Sequence, residues 1–170
     1  IYEHTVKLYK YASKGHYNDP DMLEVGNGKL SYNQNVSHFS LWCMMNAPLI
    51  LGNDLRNMSD QVKSIVTNRN MIAINQDPLA KQAKRVKKGA VDVLAKPLAD
   101  GSVAVCFFNK TAHAKSCKFN LNTLTTDEYV ALSKKDEYSL KEQWSGQIAT
   151  TDGNVNAVLE KHQTKVFIVK

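Results

Sequence analysis

The sequence of 170 residues contains no uninterrupted apolar run that approaches the roughly 20 residues a membrane-spanning helix needs. It also lacks a Gly-rich loop of the kind that cradles phosphates after a strand, and no group of residues supplies enough ligands for a metal. These absences exclude a membrane-spanning segment and argue against nucleotide or metal chemistry. We therefore expect no cofactor and no membrane partner.

Cysteine is scarce, and the three that are present, Cys43, Cys106 and Cys117, form no CxxC motif. Their odd number argues against a closed disulfide framework. Two alternatives stay open for the later two residues: Cys106 and Cys117 meet across neighbouring strands, or all three are free buried thiols. We favour free thiols, because unpaired cysteine behaves as a small apolar side chain that is usually buried.

The sequence lacks an initial Met and a charged-then-apolar signal segment, and Ile1 opens directly into helix-like sequence. Because no helix start signal precedes this stretch, we interpret the chain as part of a longer protein, whose export signal, if any, lies upstream. Three Asn-x-Ser/Thr sequons, at Asn35, Asn57 and Asn109, matter only in a eukaryotic secretory pathway. Localisation stays open: secreted or lysosomal in a eukaryote, cytoplasmic or exported in a bacterium.

Scattered lysines give the sequence a formal charge of +6 at pH 7. The densest cluster of basic residues comprises Lys81, Lys84, Arg85, Lys87 and Lys88. We interpret it as a solvated strand or edge, where lysine also discourages edge-to-edge pairing. A nucleic-acid patch is the weaker interpretation, because no aromatic residues that stack on bases interleave the run. We expect no nucleic-acid partner.

Helical periodicity dominates the N-terminal region, residues 1–80. A first helix, ending before Gly15, is predicted from one stripe of residues: Ile1, Thr5, Leu8, Tyr9 and Ala12. Ser31 and Gln34 match a capping box at the start of a second helix, which Pro48 prevents from continuing. A third helix begins at about Ser59, and residues 71–74 extend or repeat it.

Two short strands alternate with these helices. Residues 16–22 are predicted to be the end of a strand followed by a loop. The apolar run at residues 49–52 is typical of a strand buried on both faces of a parallel sheet. Strands that alternate with helices indicate a parallel α/β arrangement. Two such units are too few to close a barrel.

The pattern changes in the C-terminal region, residues 81–170. Val91, Val93 and Ala95 alternate with their neighbours, and Asp100-Gly101 is a strong turn signal before the apolar run at residues 103–108. Further strand-like runs recur at residues 116–121, 138–144, 155–159 and 166–169. Short strands at this spacing predict an antiparallel β-sandwich.

The acidic segment at residues 18–24 is the most informative part of the sequence. Pro20 stiffens it and biases Asp19 towards an extended conformation, in which Asp19 and Asp21 point to the same side, roughly 7 Å apart along the backbone. From spacing alone the two form a candidate glycosidase pair. In the alternative interpretation, one carboxylate caps the following loop and the other is solvated.

Several motifs resemble one family in its order along the chain. They are NDPDMLEVGNG at residues 18–28, HFSLW at 38–42, APLILGNDLR at 47–56 and IAINQDP at 72–78, with a looser match at PLADGSVAV, residues 97–105. Together they resemble the melibiase-type α-galactosidases, glycoside hydrolase family 27. The resemblance implies an α/β plus all-β chain: residues 1–80 as the last βα units of a (β/α)8 TIM barrel, and residues 81–170 as a C-terminal antiparallel β-sandwich.

The resemblance further implies retaining hydrolysis of terminal α-D-galactosides by an aspartate nucleophile and an aspartate acid/base. The family carries both on earlier strands, and neither motif occurs here: Lys10-Tyr11 precedes Ala12 where the family has Asp. The resemblance therefore implies that Asp19 and Asp21 are not the catalytic pair. We expect this chain alone to be inactive and to fold poorly in its N-terminal region. The implied partners are the galactoside substrate and the remaining N-terminal part of the enzyme.

By the same resemblance, Asp21 and Met22 line the sugar pocket and Asp19 braces the loop. Asn53 and Asp54 either support the residues that touch the sugar or cap the next helix; both alternatives stay open. Three more residues are interpreted as structural: Trp42 in core packing, His38 as a hydrogen-bonded residue, and His162 in the sandwich.

Alternative functions stay open within and outside the family. Within it, α-N-acetylgalactosaminidase and β-L-arabinopyranosidase activities differ in residues that lie upstream of this chain. Outside it, a non-catalytic carbohydrate-binding or structural module is conceivable, although the sequence shows no row of aromatic residues that would stack on a glycan. Homo-oligomerisation is also left open.

Overall fold

A computed structural model describes residues 1–170. No helix in it combines the length and apolarity that crossing a bilayer requires. The α-helices are α1 (Tyr2–Thr5), α2 (Tyr32–Met44), α3 (Asp60–Val66) and α4 (Arg69–Asn75). The strands are β1 (Lys84–Lys87), β2 (Val91–Pro97), β3 (Val103–Asn109), β4 (Lys115–Asn120), β5 (Tyr138–Glu142), β6 (Ile148–Thr151), β7 (Asn154–Leu159) and β8 (Thr164–Val169). Three short 3₁₀ segments lie at Val6–Tyr11, Leu55–Asn57 and Leu121–Leu124.

Local cap signals fix the starts of the N-terminal helices. The predicted capping box of α2 is confirmed: the Ser31 hydroxyl accepts from the Gln34 N–H, and the Gln34 side chain accepts from the Ser31 N–H. The Ser59 side chain accepts from the Val62 N–H and so begins α3. Asn68 caps α4, which is a separate helix rather than an extension of α3.

The predicted first helix is wrong in its geometry. One α-helical turn, α1, is followed by the 3₁₀ segment Val6–Tyr11. A 3₁₀ helix has about three residues per turn, so residues spaced for an α-helix no longer share one face. Accordingly Ile1 and Leu8 are exposed, while Thr5 and Val6 are buried.

The predicted strand at residues 49–52 is also wrong, since it is not buried on both faces. Only an isolated parallel bridge forms, between Leu23 and Leu51, where the Gly52 N–H donates to the Leu23 carbonyl at 3.0 Å. Ile50 is 73% exposed. The reason is that this segment pairs with one neighbouring segment, so part of its apolar surface stays uncovered.

An antiparallel sheet of six strands organises the C-terminal region, in the order β1-β2-β3-β8-β5-β6, and β4 pairs with β7 in a second sheet. The predicted turn at Asp100-Gly101 joins β2 to β3, whose register runs from Val91 opposite Asn109 to Pro97 opposite Val103. Strand β6 was not predicted, because Ile148, Ala149 and Thr150 are all exposed and show no alternation of burial.

The six-stranded sheet lies between two layers. Along β3, Val103, Val105 and Phe107 pack towards β4, β7 and the 3₁₀ segment Leu121–Leu124, whereas Ala104 and Cys106 pack towards the helices. This follows from the two-residue period of a strand, which turns successive side chains to opposite faces. The fold is thus a β-sandwich with the helices α2–α4 packed on its outer face.

The cysteine interpretation is confirmed, because all three thiols are free and buried. The interpretation of the basic cluster holds only in part. Strand β1 is an edge strand as expected, but the Arg85 side chain is 11% exposed and forms ion pairs with Glu3 and Asp92 rather than being solvated. The buried Asp92 carboxylate draws this guanidinium inward.

The three sequons differ in accessibility. Asn35 is buried, and its side chain accepts from the Gly26 N–H and donates to the Leu30 carbonyl. Asn109 is also buried. Asn57 lies exposed at the end of a 3₁₀ segment. Two of the three asparagines therefore serve the fold.

Candidate functional site

The parallel bridge between Leu23 and Leu51 determines which polar residues are neighbours. It sets Leu23, within the acidic segment at residues 18–24, beside Leu51, the first of residues 51–54, and both segments run in the same direction. In parallel sheets the carboxyl ends of the strands meet at one edge, where α/β enzymes hold their ligands. The candidate site consists of these two segments.

Asp21 is the most strained residue of the site. Its φ of 75° lies in the left-handed region, and the Asp19 carboxylate accepts from its N–H at 2.8 Å. The predicted extended chain, with Asp19 and Asp21 on one side, is therefore wrong, because the Asp19 side chain closes an Asx turn that reverses the backbone. Both carboxylates are exposed. Asp19 does hydrogen-bond the backbone of this loop, as expected of a brace.

Met22 lies across the next segment. Half of its surface is exposed, and its methyl group packs over Gly52, where an added Cβ would lie 2.7 Å from Met22 Cε. A side chain at residue 52 would displace the flexible end of Met22, so the position of this methyl group depends on the glycine. The pair offers an apolar surface beside the Asp21 carboxylate.

Glu24 and Asn27 tie the two segments together. The Asn27 amide nitrogen donates to the Glu24 carboxylate and, at 3.1 Å, to the Gly52 carbonyl. The Glu24 backbone N–H in turn donates to Nε2 of His38 at 2.8 Å. No feature of the sequence outside the matched motif predicts these contacts.

Helix α2 packs against the acidic segment and supports its backbone. The Trp42 indole N–H donates to the Asp21 carbonyl at 3.3 Å, and its ring packs edge-on against His38 with centroids 4.1 Å apart. Trp42 is 4% exposed, so the predicted core role is confirmed. The hydrogen-bonded role of His38 is confirmed as well, and burial lowers the pKa of its imidazole.

The C-terminal region anchors α2 through small polar side chains. Ser37 Oγ donates to the His162 carbonyl at 2.6 Å and accepts from the Thr164 hydroxyl at 2.6 Å. The Trp144 indole N–H donates to Ser40 Oγ at 3.0 Å. More than 100 residues separate these partners in sequence, so periodicity and motifs give no signal for them. His162 contributes its backbone, which fits the structural role expected of it.

Asp54 caps the segment that follows it, which is one of the two alternatives for this residue. Its carboxylate accepts from the Arg56 N–H and from the Arg56 guanidinium at 3.0 and 3.2 Å. The hydrogen bond from that guanidinium is the main cause of the lowered pKa of the Asp54 carboxyl. Asn53, next to it, has a buried Oδ1 that accepts no hydrogen bond within the chain.

A groove of about 560 Å³ opens between this site and the helices α1 and α2, lined among others by Met22, Glu24, His38 and Trp42. No group of three or more His, Cys, Asp or Glu side chains in the chain is arranged to hold a metal ion. The site offers exposed carboxylates, among them that of Asp21, and the apolar side chain of Met22. This combination can bind a sugar, which has polar hydroxyl groups and an apolar C–H face.

Comparisons with known proteins agree along the chain. A family model described as α-galactosidase A matches residues 1–77, and one described as the α-galactosidase C-terminal β-sandwich domain matches residues 88–169. The α-galactosidase A of Cellvibrio japonicus is 38% identical over 165 residues, 94% of this chain and 41% of that protein. The α-N-acetylgalactosaminidase of Gallus gallus is 47% identical over 105 residues, 61% of this chain and 26% of that protein.

The fold agrees with a solved structure as well. The crystal structure of α-galactosidase I from Mortierella vinacea superposes with a TM-score of 0.89 at 25% identity, over 97% of this chain and 42% of that one. The chain spans about two fifths of the length of the curated relatives it matches, with 41%, 37% and 38% for three α-galactosidases.

Proposed function

The chain belongs to the α-galactosidase A family of glycoside hydrolases, and from that premise we propose that it forms one wall of the sugar pocket in a retaining enzyme. The enzyme releases terminal α-linked D-galactose from oligosaccharides or glycoconjugates. The nucleophile and the acid/base belong to polypeptide upstream of this chain, as the family's motif order implies. Residues 1–170 supply binding and orientation.

In this proposal, residues 1–80 are the last βα units of a (β/α)8 barrel and residues 81–170 are the sandwich domain. The parallel bridge between Leu23 and Leu51 supports it, because parallel neighbours are what a barrel contains. Exposed apolar side chains support it as well. Tyr11, Ile50 and Leu55 are 73%, 73% and 64% exposed, and further barrel elements would cover such side chains.

One observation carries the assignment of the pocket. The bridge pairs Leu23 with Leu51, and the Met22 methyl group packs on Gly52, which leads directly into Asn53 and Asp54 at the carboxyl end of that segment. Sites of (β/α)8 enzymes lie at this end of the strands. We assign Asp21 and Met22 to contact with the sugar, and Asp19, Asn53 and Asp54 to support of those two.

The proposed roles follow from the chemistry of each side chain. The exposed Asp21 carboxylate can accept hydrogen bonds from sugar hydroxyls or from an arginine of the upstream polypeptide. The Met22 thioether, held over Gly52, offers a polarisable apolar surface to the C–H face of the ring. Asp19 fixes the turn through the Asp21 N–H. Retention itself needs two further carboxylates about 5–5.5 Å apart.

The test is a chimera that joins the upstream part of the Cellvibrio japonicus α-galactosidase A to this chain. We expect the 170-residue chain alone to leave an aryl α-galactoside intact, and the folded chimera to hydrolyse it. Asp21→Ala should lower kcat/KM of the chimera by on the order of 10²-fold, since misplaced binding groups cost about that much. Asp54→Ala, which removes an exposed cap, should cost less than about 10-fold.

Two results would contradict the proposal. Turnover by the chain alone would mean that its own carboxylates are catalytic. If Asp54→Ala lowered kcat/KM more than Asp21→Ala does, Asp54 rather than Asp21 would be the more important residue for turnover. Circular dichroism of each variant provides the control, because a folded but slow enzyme differs from an unfolded one.

A second candidate activity is α-N-acetylgalactosaminidase, which the similarity to the Gallus gallus enzyme over 105 residues favours. β-L-Arabinopyranosidase is a third member of the same family. In our proposal, the residues that contact the substituent at the 2-position of the sugar lie upstream of this chain. Exchanging the upstream part of the chimera for that of the Gallus gallus enzyme should therefore switch hydrolysis from the α-galactoside to the α-N-acetylgalactosaminide, with this chain unchanged.

A further inference from the structure

We propose that His38 is a positioning residue of the sugar pocket: its neutral imidazole accepts the Glu24 backbone N–H and thereby fixes where Asp21 and Met22 lie. The proposal rests on the assignment of Asp21 and Met22 to that pocket. His38 itself touches no reacting group. It acts through the backbone of the acidic segment.

The geometry determines the protonation state that this role needs. Nε2 of His38 lies 2.8 Å from the Glu24 nitrogen, which carries a hydrogen, so Nε2 must be the unprotonated nitrogen of the ring. The proton of the neutral imidazole is therefore on Nδ1. An imidazolium, with hydrogens on both nitrogens, would oppose the Glu24 N–H with a second donor.

Helix α2 holds the acidic segment at two points. His38 binds the Glu24 N–H, and Trp42, one helical turn further, binds the Asp21 carbonyl at 3.3 Å. Residues four apart lie on the same face of an α-helix, and here the two rings pack edge-on. Because Asp21 has a φ of 75°, its backbone needs such external support to stay in place.

The helix is itself fixed from the opposite side. Ser37 is hydrogen-bonded to His162 and Thr164, and Ser40 to Trp144, all of which belong to the sandwich. A continuous series of contacts therefore runs from the sandwich through α2 to Asp21. In this arrangement the sandwich contributes to the pocket without touching the sugar.

The contact depends on pH in a defined direction. Burial lowers the pKa of His38 below its ordinary 6.5, and the Glu24 carboxylate partly opposes this shift. The contact and its contribution to stability are thus fully present above pH 6.5 and are lost as the pH falls through the lowered pKa. Titratable or charged groups of four elements face the same groove: Glu24, Lys110, His162, Tyr2 and, in this chain, the amino group of Ile1.

The test uses NMR on the folded chimera, in which the upstream part is present, and compares the unchanged 170-residue sequence with two variants at His38. In the unchanged chain, long-range ¹H–¹⁵N correlations should show the Nδ1–H form of His38, and the Glu24 amide should shift with the titration of that ring. His38→Gln keeps an acceptor at the ε position that does not titrate, so the Glu24 amide should stay protected from exchange and lose its pH dependence. His38→Ala should speed Glu24 exchange about 10-fold, the effect of one lost hydrogen bond.

His113→Gln, which changes an exposed histidine, is the matched control and should alter none of these signals. An Nε2–H form of His38 at neutral pH would overturn the proposal, and so would a His38→Gln variant whose Glu24 amide exchanges as fast as in His38→Ala. In the chimera, the fall of kcat/KM on the acid side should weaken in His38→Gln. An inactive chimera would count against the proposed function alone, since the exchange data test the contact separately.

Discussion

The two regions of the molecule differ in where their buried residues come from. One core cluster, which includes Phe107, Leu121 and Val169, is built entirely from residues of the C-terminal region. The other cluster joins the helices of the N-terminal region to Ala83, Leu94, Ala104, Cys106 and Val166. The C-terminal region thus buries its own core, whereas the N-terminal region needs the outer face of the sheet.

Their surfaces differ in the same sense. Ten of the twelve exposed large apolar side chains belong to residues 1–80, and only Ile148 and Val158 belong to the C-terminal region. Neither of these two is aromatic, which argues against a sandwich that stacks a glycan by itself. The concentration of apolar surface in residues 1–80 is what an incomplete barrel would leave uncovered. The C-terminal region can therefore form its core without the N-terminal region, whereas the N-terminal region depends on the sheet.

The largest effect should come from separating the regions. Residues 81–170 expressed alone should unfold in one cooperative transition, because one of the two core clusters is complete within them. Residues 1–80 alone should lack such a transition, because their helices lose the sheet that completes their core. Near-UV circular dichroism during urea unfolding would measure this. A cooperative transition for residues 1–80 would instead show that their helices form a stable core without the sheet.

A matched pair of core substitutions should show the same asymmetry at a smaller scale. Phe107→Ala and Phe39→Ala both truncate phenylalanines that are 1% exposed, and each should cost about 3–5 kcal/mol. Phe107→Ala should weaken amide protection in both regions, since the helices rest on the sheet. Phe39→Ala should weaken it in residues 1–80 and leave β3 and β8 protected. Equal loss of protection in β3 for both variants would contradict the asymmetry.

Features that depend on a few adjacent residues can be predicted from the sequence. The cap at Ser31, the helix start at about Ser59 and the turn at Asp100-Gly101 are predicted correctly, because each depends on hydrogen bonds or backbone angles within about four residues. The antiparallel strands were predicted mostly from their alternation. Strand β6 was not, since its exposed residues carry no burial pattern.

The site at residues 18–24 stays a prediction, whereas the backbone geometry predicted for this segment is wrong. Motif resemblance led to residues 18–24, but an extended backbone was expected where Asp21 adopts a φ of 75°. The turn arises from the hydrogen bond between Asp19 and the Asp21 N–H and from the Trp42 contact below it. Contacts of this second kind join distant parts of the chain, and neither spacing nor composition encodes them.

The smallest effect concerns a residue that joins the two regions, Lys96 of β2. Its buried ammonium group donates to the Asn46 side chain at 2.6 Å and to the Lys81 carbonyl. Burial lowers the pKa of Lys96 from 10.5 to about 8, against the opposing attraction of Asp77 and Cys43. Between these two values the unfolded chain binds more protons than the folded one, so stability rises with pH.

The shift of the Lys96 pKa from 10.5 to about 8 corresponds to up to about 3 kcal/mol, present above pH 10.5 and lost as the pH falls through about 8. The buried thiols of Cys43 and Cys106 act in the opposite sense, because burial raises their pKa values and alkaline pH then favours unfolding. Urea midpoints should therefore be compared between the unchanged chain and Lys96→Met across this range. The difference should grow in favour of the unchanged chain as the pH rises. A constant difference would mean that Lys96 stays charged in the fold, and that the contact between the regions at this point tolerates a buried ammonium at no measurable cost.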